Sequence, residues 1–177
     1  MQYFYVKKME VIIIKILIIN SAPGVGKSTS LKLLEGLLDS KSAFVDGDDL
    51  ARVIPFENTV KWLNLMQDNI ACCVKNFLKY NYENIFISFV FPSSDRINRM
   101  KKLIKTDGVN IYHIKLICGQ DELKERLVKR NSQKLISIEK ALNLNEMINK
   151  LKSDLVIDTT NISPLEVARK IKEGIND

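Results

Sequence analysis

Cysteine, histidine, tryptophan and proline are scarce: the 177 residues contain three, one, one and four of them. Cys72 and Cys73 are adjacent in an amphipathic stretch and Cys118 closes an apolar run, so they make neither a disulfide framework nor a metal-ligand spacing. They read as core thiols of a reducing compartment, which predicts a cytoplasmic location. The lone histidine, His113, falls inside an apolar run with no acid, serine or cysteine in an obvious partnering register, and is expected to be structural. No apolar run is long enough to cross a bilayer. The stretch Val11 to Ile19, preceded by Lys7 and Lys8, superficially imitates a secretory leader, but charge at Glu10 and Lys15 breaks it, and a buried first strand is the better reading. Charge of one sign is modest too. Twenty-seven basic against twenty-one acidic residues leave +6, scattered along the chain, which suits phosphorylated ligands and argues against a specific nucleic-acid or membrane partner. Repeats, low-complexity tracts and Gly/Ser linkers are missing, so a single domain spanning 1–177 is expected.

What is present is a regular alternation. Short runs rich in Ile, Val and Phe occur at Val11 to Asn20, Ala43 to Asp46, Asn84 to Phe91, Asn110 to Cys118 and Asp154 to Asp158, as buried parallel strands require. Between them lie segments of helical spacing. Leu31, Leu34 and Leu38 form one apolar face, and Leu63, Met66, Ile70, Val74 and Phe77 another; Ser93 to Thr106, Gln120 to Arg130, Ile138 to Lys150 and Ser163 to Ile175 complete the set. Ser163, Pro164 and Glu166 supply an N-cap, a first-turn proline and an early acid. The pattern predicts an α/β three-layer sandwich around a five-stranded parallel sheet, with ligands at the carboxyl ends of the strands.

Between the first strand and the first helix stands Ser21-Ala22-Pro23-Gly24-Val25-Gly26-Lys27-Ser28-Thr29, a phosphate-binding loop in the context that such a loop needs. Gly24 and Gly26 allow backbone N–H groups to turn inward without a Cβ in the way, and the helix that follows offers its unpaired N-terminal donors. Ala22 to Thr29 are therefore expected to hold the phosphates of a nucleotide, with Lys27 reaching the β and γ phosphates and Ser28 ligating Mg²⁺. Ser21 replaces the first glycine of the motif, a change expected to be tolerated because this position only begins the turn.

Two absences narrow the class of P-loop protein. No Asn-Lys-x-Asp segment is available to read guanine and no Asp-x-x-Gly segment to sense a γ-phosphate, which argues against a GTPase switch. The third strand runs into Pro92-Ser93-Ser94 before Asp95 appears, where a motor or transporter ATPase would carry an acid at once. The acids follow the second strand instead, in Val45-Asp46-Gly47-Asp48-Asp49.

The loop, the Asp46-Gly47-Asp48 turn, the Glu125-Arg126-Leu127-Val128-Lys129-Arg130 helix and the closing Ile157-Asp158-Thr159-Thr160-Asn161-Ile162-Ser163 stretch occur in one order. In that order the chain resembles the small P-loop kinases that act on shikimate, gluconate, adenylylsulfate and nucleoside monophosphates, and also AAA-family ATPases of similar size. The resemblance implies ATP and Mg²⁺ as cofactors and a small-molecule phosphoryl acceptor. It further implies that Asp46 orients the metal through water while Asp48 contacts the acceptor hydroxyl. An acceptor hydroxyl needs an aligned carboxylate more than a strong base, which agrees with that division. Arg126 and Arg130, four apart on one helix face, would aim at the transferring phosphoryl if residues 131–137 form a short lid, whose only further cation is Lys134. Arg52 would hold an anionic part of the acceptor, Asn161 would lie near adenine, and residues 55–82, including Trp62, would form a helical acceptor lobe. A nucleoside monophosphate kinase and a non-catalytic nucleotide sensor remain the alternatives.

Overall fold

The computed structural model describes residues 13–50, 53, 54, 59–130 and 137–176. Arg52, residues 55–58 of the acceptor lobe and residues 131–136 of the expected lid lie outside the described residues. The strands are β1 (Ile14–Asn20), β2 (Ser42–Asp46), β3 (Asn84–Phe89), β4 (Val109–Ile117) and β5 (Leu155–Asp158). They form one sheet in the order β2-β3-β1-β4-β5. Every pairing is parallel, with β1 at the centre; Ile18, for example, lies between Ile87 and His113. The helices are α1 (Lys27–Glu35), α2 (Val60–Lys79), α3 (Ser94–Ile104), α4 (Gln120–Lys129), α5 (Ile138–Asn149) and α6 (Pro164–Asn176).

Period-two alternation sends the strand residues to two cores. Leu17, Ile19, Phe86, Ile114 and Leu116 face α1, α4, α5 and α6. Ile16, Ile18, Ile85 and Ile87 face α2 and α3. The buried stripe of α2, Met66, Ile70 and Val74, fits the helical spacing read from the sequence. Burial of each such side chain contributes roughly 1.5–3 kcal/mol before ordering costs. No helix among the described residues is long and apolar enough to cross a membrane.

Helix starts follow local chemistry. Thr59, Ser93 and Ser137 accept from the backbone N–H three residues on, opening α2, α3 and α5. At α6, Ser163 and Glu166 close a reciprocal box: Glu166 N donates to Ser163 Oγ at 3.2 Å, and Ser163 N donates to Glu166 Oε2 at 2.7 Å. Strand boundaries depart from the sequence reading at two places: Ile13 stands outside β1, while the expected Val11 and Ile12 lie outside the described residues, and β3 is shorter than expected. Strand β3 ends at Phe89, short of the expected Phe91, because the buried Asn20 side chain takes both backbone groups of Phe91, each at 2.9 Å. The chain is thereby turned out of the ladder directly beside the end of β1.

His113 is structural, as expected. Its Nδ1 lies 3.0 Å from the Lys152 carbonyl, to which it must donate, leaving Nε2 to accept from Asn20 Nδ2 at 3.4 Å. Burial holds its pKa below the ordinary histidine value, against the opposing pull of that carbonyl. Because the unfolded chain then takes up the proton first, stability is intact above about pH 6.5 and is lost as pH falls below it, by up to about 1.4 kcal/mol per pH unit. Urea denaturation at pH 8 and pH 5.5 should show this loss, and His113→Gln, which keeps an acceptor but cannot titrate, should reduce it. An unchanged difference between the two pH values in the variant would assign the acid sensitivity elsewhere.

Candidate nucleotide and acceptor site

The glycine loop turns at the carboxyl end of β1 with Gly24 at φ 89° and Gly26 at φ 109°, left-handed conformations that glycine adopts without a steric cost. At Gly24 space is limiting as well, since a Cβ would lie 2.7 Å from Leu127 Cδ2. Helix α1 begins with no side-chain cap and no acid in its first turn, so its leading N–H groups and positive dipole end remain available to an anion. Ser28 and Thr29 are exposed on that first turn.

Lys27 is buried and donates to Ser88 Oγ at 2.5 Å. Ser88 donates in turn to Asp46 Oδ2 at 3.1 Å, and the other Asp46 oxygen accepts from Asp48 N at 3.0 Å. A single hydrogen-bonded chain thus joins the loop lysine to the acidic turn. Strand register accounts for it, because Ser88 lies beside Ile19 on one side and Asp46 on the other. Loss of water lowers the Lys27 pKa, opposed by the Asp46 and Asp48 carboxylates. Asp48 moves the other way: desolvation raises it, Lys27 opposes, and Asp46 and Asp49 add to the rise. Gly47 lets this turn press onto the sheet, since a Cβ there would meet the Phe89 ring at 2.4 Å. Trp62, in the first turn of α2, packs with its ring centroid 6.4 Å from that of Phe89, the ring that Gly47 approaches.

On the other side of the glycine loop opens a cleft of ≈ 350 Å³, lined by Gly24 to Gly26, Thr29, Arg126, Arg130, Thr159 and Ile162 among others. Asn161, exposed in the turn between β5 and α6, is not among the residues lining it. Arg126 and Arg130 share one wall but differ in state. Arg126 donates to Glu122, Val25, Thr159 and Thr160, whereas Arg130 has no side-chain partner among the described residues. A second cavity, of ≈ 310 Å³, lies between α3 and residues 151–154 over His113. It contains none of the glycine-loop residues or the acids of the turn, and its Lys101 is paired with Asp154 at 3.6 Å.

Sequence reasoning missed Ser88 and Thr159. A signal for Ser88 exists: it is the hydroxyl in an otherwise apolar inner stretch of β3, Ile85 to Phe89, though only strand register shows that it faces Lys27. Thr159 offers no comparable signal, because its partners, Val25 and Arg126, are remote in sequence.

Solved structures share this architecture. The tunicamycin resistance protein of Deinococcus radiodurans gives a TM-score of 0.69 at 19% identity, over 92% of this chain and 95% of its own. The APS kinase CysC of Mycobacterium tuberculosis, in complex with AMPPNP and APS, gives 0.69 at 13% identity, over 93% and 98%. A gluconokinase from Sinorhizobium meliloti 1021 gives 0.62 at 15% identity, over 93% and 93%. This chain has the fold of the P-loop kinases, a five-stranded parallel sheet with helices on both sides. Within that fold it is similar to the kinases of the APS and gluconate group. No family model and no curated protein matches the sequence itself.

Proposed function

We propose that this chain transfers the γ-phosphoryl group of Mg·ATP to a hydroxyl on a small-molecule acceptor. The observation that carries this reading is the run from Lys27 through Ser88 to Asp46 and on to the Asp48 backbone, which gathers the loop cation and both acids of the turn at one end of the sheet. Ala22 to Thr29 hold the triphosphate, and Lys27 exchanges Ser88 for the γ-phosphate. Ser28 and Asp46 hold Mg²⁺, which when bound neutralises charge on the phosphate oxygens. Among the described residues no three His, Cys, Asp or Glu side chains gather into a metal cage, and a hydroxyl, one carboxylate and substrate phosphates are a donor set that Mg²⁺ accepts. Asp48 aligns the acceptor hydroxyl beside Trp62, Arg130 supplies charge in the cleft, and the nucleotide base lies against Thr159 and Ile162. Arg52, just past the acidic turn in sequence, is assigned to an anionic part of the acceptor.

Nucleoside diphosphate formation, ADP from ATP and GDP from GTP, should be followed across gluconate, adenylylsulfate, shikimate, nucleoside monophosphates and neutral hydroxyl compounds. ADP release that rises on adding one acceptor, with ATP used at least as well as GTP, is the expected result. Preference for a nucleoside monophosphate would move the protein to that kinase class. Tight nucleotide binding with no transfer to any compound would leave a sensor.

A further inference from the structure

The sequence places Arg126 with Arg130 as a charge for the transferring phosphoryl group, but its guanidinium is engaged on every side. Nε donates to Glu122 Oε1 at 2.7 Å. Nη1 donates to the Val25 carbonyl at 3.2 Å and to Thr159 Oγ1 at 3.1 Å. Nη2 donates to the carbonyls of Thr159 at 2.7 Å and Thr160 at 3.2 Å. Arginine has five N–H donors, and these contacts use all of them. The Val25 carbonyl is saturated as well, since Thr159 Oγ1 donates to it at 3.1 Å.

Given the nucleotide site proposed above, we infer that Arg126 is a positioning residue: by fixing the Val25 carbonyl it aims the Gly26 N–H at the phosphates of the nucleotide. In a trans peptide the C=O of one residue and the N–H of the next point in opposite directions. Drawing the Val25 oxygen toward α4 and the β5–α6 turn therefore turns the Gly26 N–H away from them. Gly26 supports this reading. A Cβ there would meet nothing within 4 Å, so the glycine is needed for its φ of 109° rather than for space. A peptide with that freedom must be held by something, and Arg126 with Thr159 holds it. The strut is itself anchored, by the Glu122 carboxylate behind it and by the packing of Leu123 and Leu127 against Gly24. Arg130, at the cap just past the end of α4, has no side-chain partner among the described residues and is the arginine left for the ligand.

Tripolyphosphate, which carries the phosphates without the base, separates this role from its rivals. Calorimetry should compare its binding and that of ATP in the parent, Arg126→Ala, Arg126→Lys and Thr159→Val. Arg126→Ala should weaken tripolyphosphate and ATP by the same factor, about tenfold or more, as expected when a charged hydrogen-bonding group is removed. The rate at saturating ATP should change by less than about threefold. Arg126→Lys should recover part of the loss. Thr159→Val should act in the same direction by a smaller factor and add little when combined with Arg126→Ala, because both side chains hold one carbonyl. In ¹⁵N–¹H spectra the Gly26 amide should shift on adding tripolyphosphate to the parent and shift less in Arg126→Ala. If the rate collapses while tripolyphosphate binding is unchanged, Arg126 acts on the reacting phosphoryl and the positioning role is wrong. If ATP weakens but tripolyphosphate does not, Arg126 serves only the base wall, which also overturns it. Should Arg126→Ala fail to fold, Thr159→Val and the Gly26 resonance decide the matter alone. A parent protein that binds neither probe refutes the nucleotide reading itself, and with it this one.

Discussion

Lys27→Ala is expected to lower phosphotransfer by at least about a thousandfold, the scale set by removing a preorganised charge from a phosphoryl-transfer site. The side chain is buried beside Ser88, with Asp46 one hydrogen bond further on, so a ligand can recruit it by a short swing away from Ser88. Water cannot replace an ammonium in such a position. The same burial that lowers the Lys27 pKa makes the free protein pay for holding the charge, so Lys27→Met should leave the thermal midpoint unchanged or raise it. Activity lost together with stability would mean a folding defect, and the Met variant guards against that confusion. Turnover in Lys27→Met equal to that of the parent would remove the glycine loop from the mechanism. Binding of Mg·ATP should weaken in the same variants, which a titration with a fluorescent ATP analogue can follow.

Most of the architecture was legible because it depends on local patterning. The runs of Ile, Val and Phe gave β2, β4 and β5 to within one residue at each end, β1 to its end and β3 to its start. Ser163, Pro164 and Glu166 placed the start of α6 because a capping box is complete within four residues. The end of β3 was not legible, since it depends on an asparagine 71 positions upstream that binds the Phe91 backbone. The site divides along the same line. Its glycines, lysine and acids belong to contiguous motifs and could be read directly. The links among them could not: Lys27 to Ser88 spans 61 positions and Arg126 to Val25 spans 101, and each depends on strand order and register. Helical periodicity put Arg126 and Arg130 on one wall of the cleft, but it carries no information about the carbonyls that occupy Arg126. A guanidinium looks the same in sequence whether it meets a ligand or a loop.

Single replacement of the two acids of the turn by asparagine should separate metal from acceptor. Asp46 accepts from Ser88 and from the Asp48 N–H, so it is fixed at the inner end of the turn, next to the Lys27 relay. Asp46→Asn is expected to raise the Mg²⁺ concentration needed for activity and to weaken Mg·ATP, with little change in binding of metal-free ATP. Asp48→Asn should leave Mg·ATP binding intact and reduce transfer by roughly two to four orders of magnitude, the range for a positioned acid–base group. Slow hydrolysis of ATP by water should persist in it, because that reaction needs the loop and the metal but no aligned acceptor. The pH profile gives an independent reading. Desolvation, Asp46 and Asp49 raise the Asp48 pKa, so its ionised form, and with it kcat/KM, should decline on acidification at a higher pH than an ordinary carboxylate near about 3.9 would give. Burial lowers Lys27, so the alkaline decline should begin below the ordinary lysine value of about 10.4. Both limbs therefore move inward and the active range narrows. Asp48→Asn should abolish the acid limb and keep the alkaline one, whereas Asp46→Asn should keep both limbs and move each toward lower pH, since the Asp46 charge raises both Asp48 and Lys27. Matching Mg²⁺ dependence in the two variants, with transfer intact in both, would leave the turn as no more than a capped start to the helical segment and favour a nucleotide sensor over a kinase.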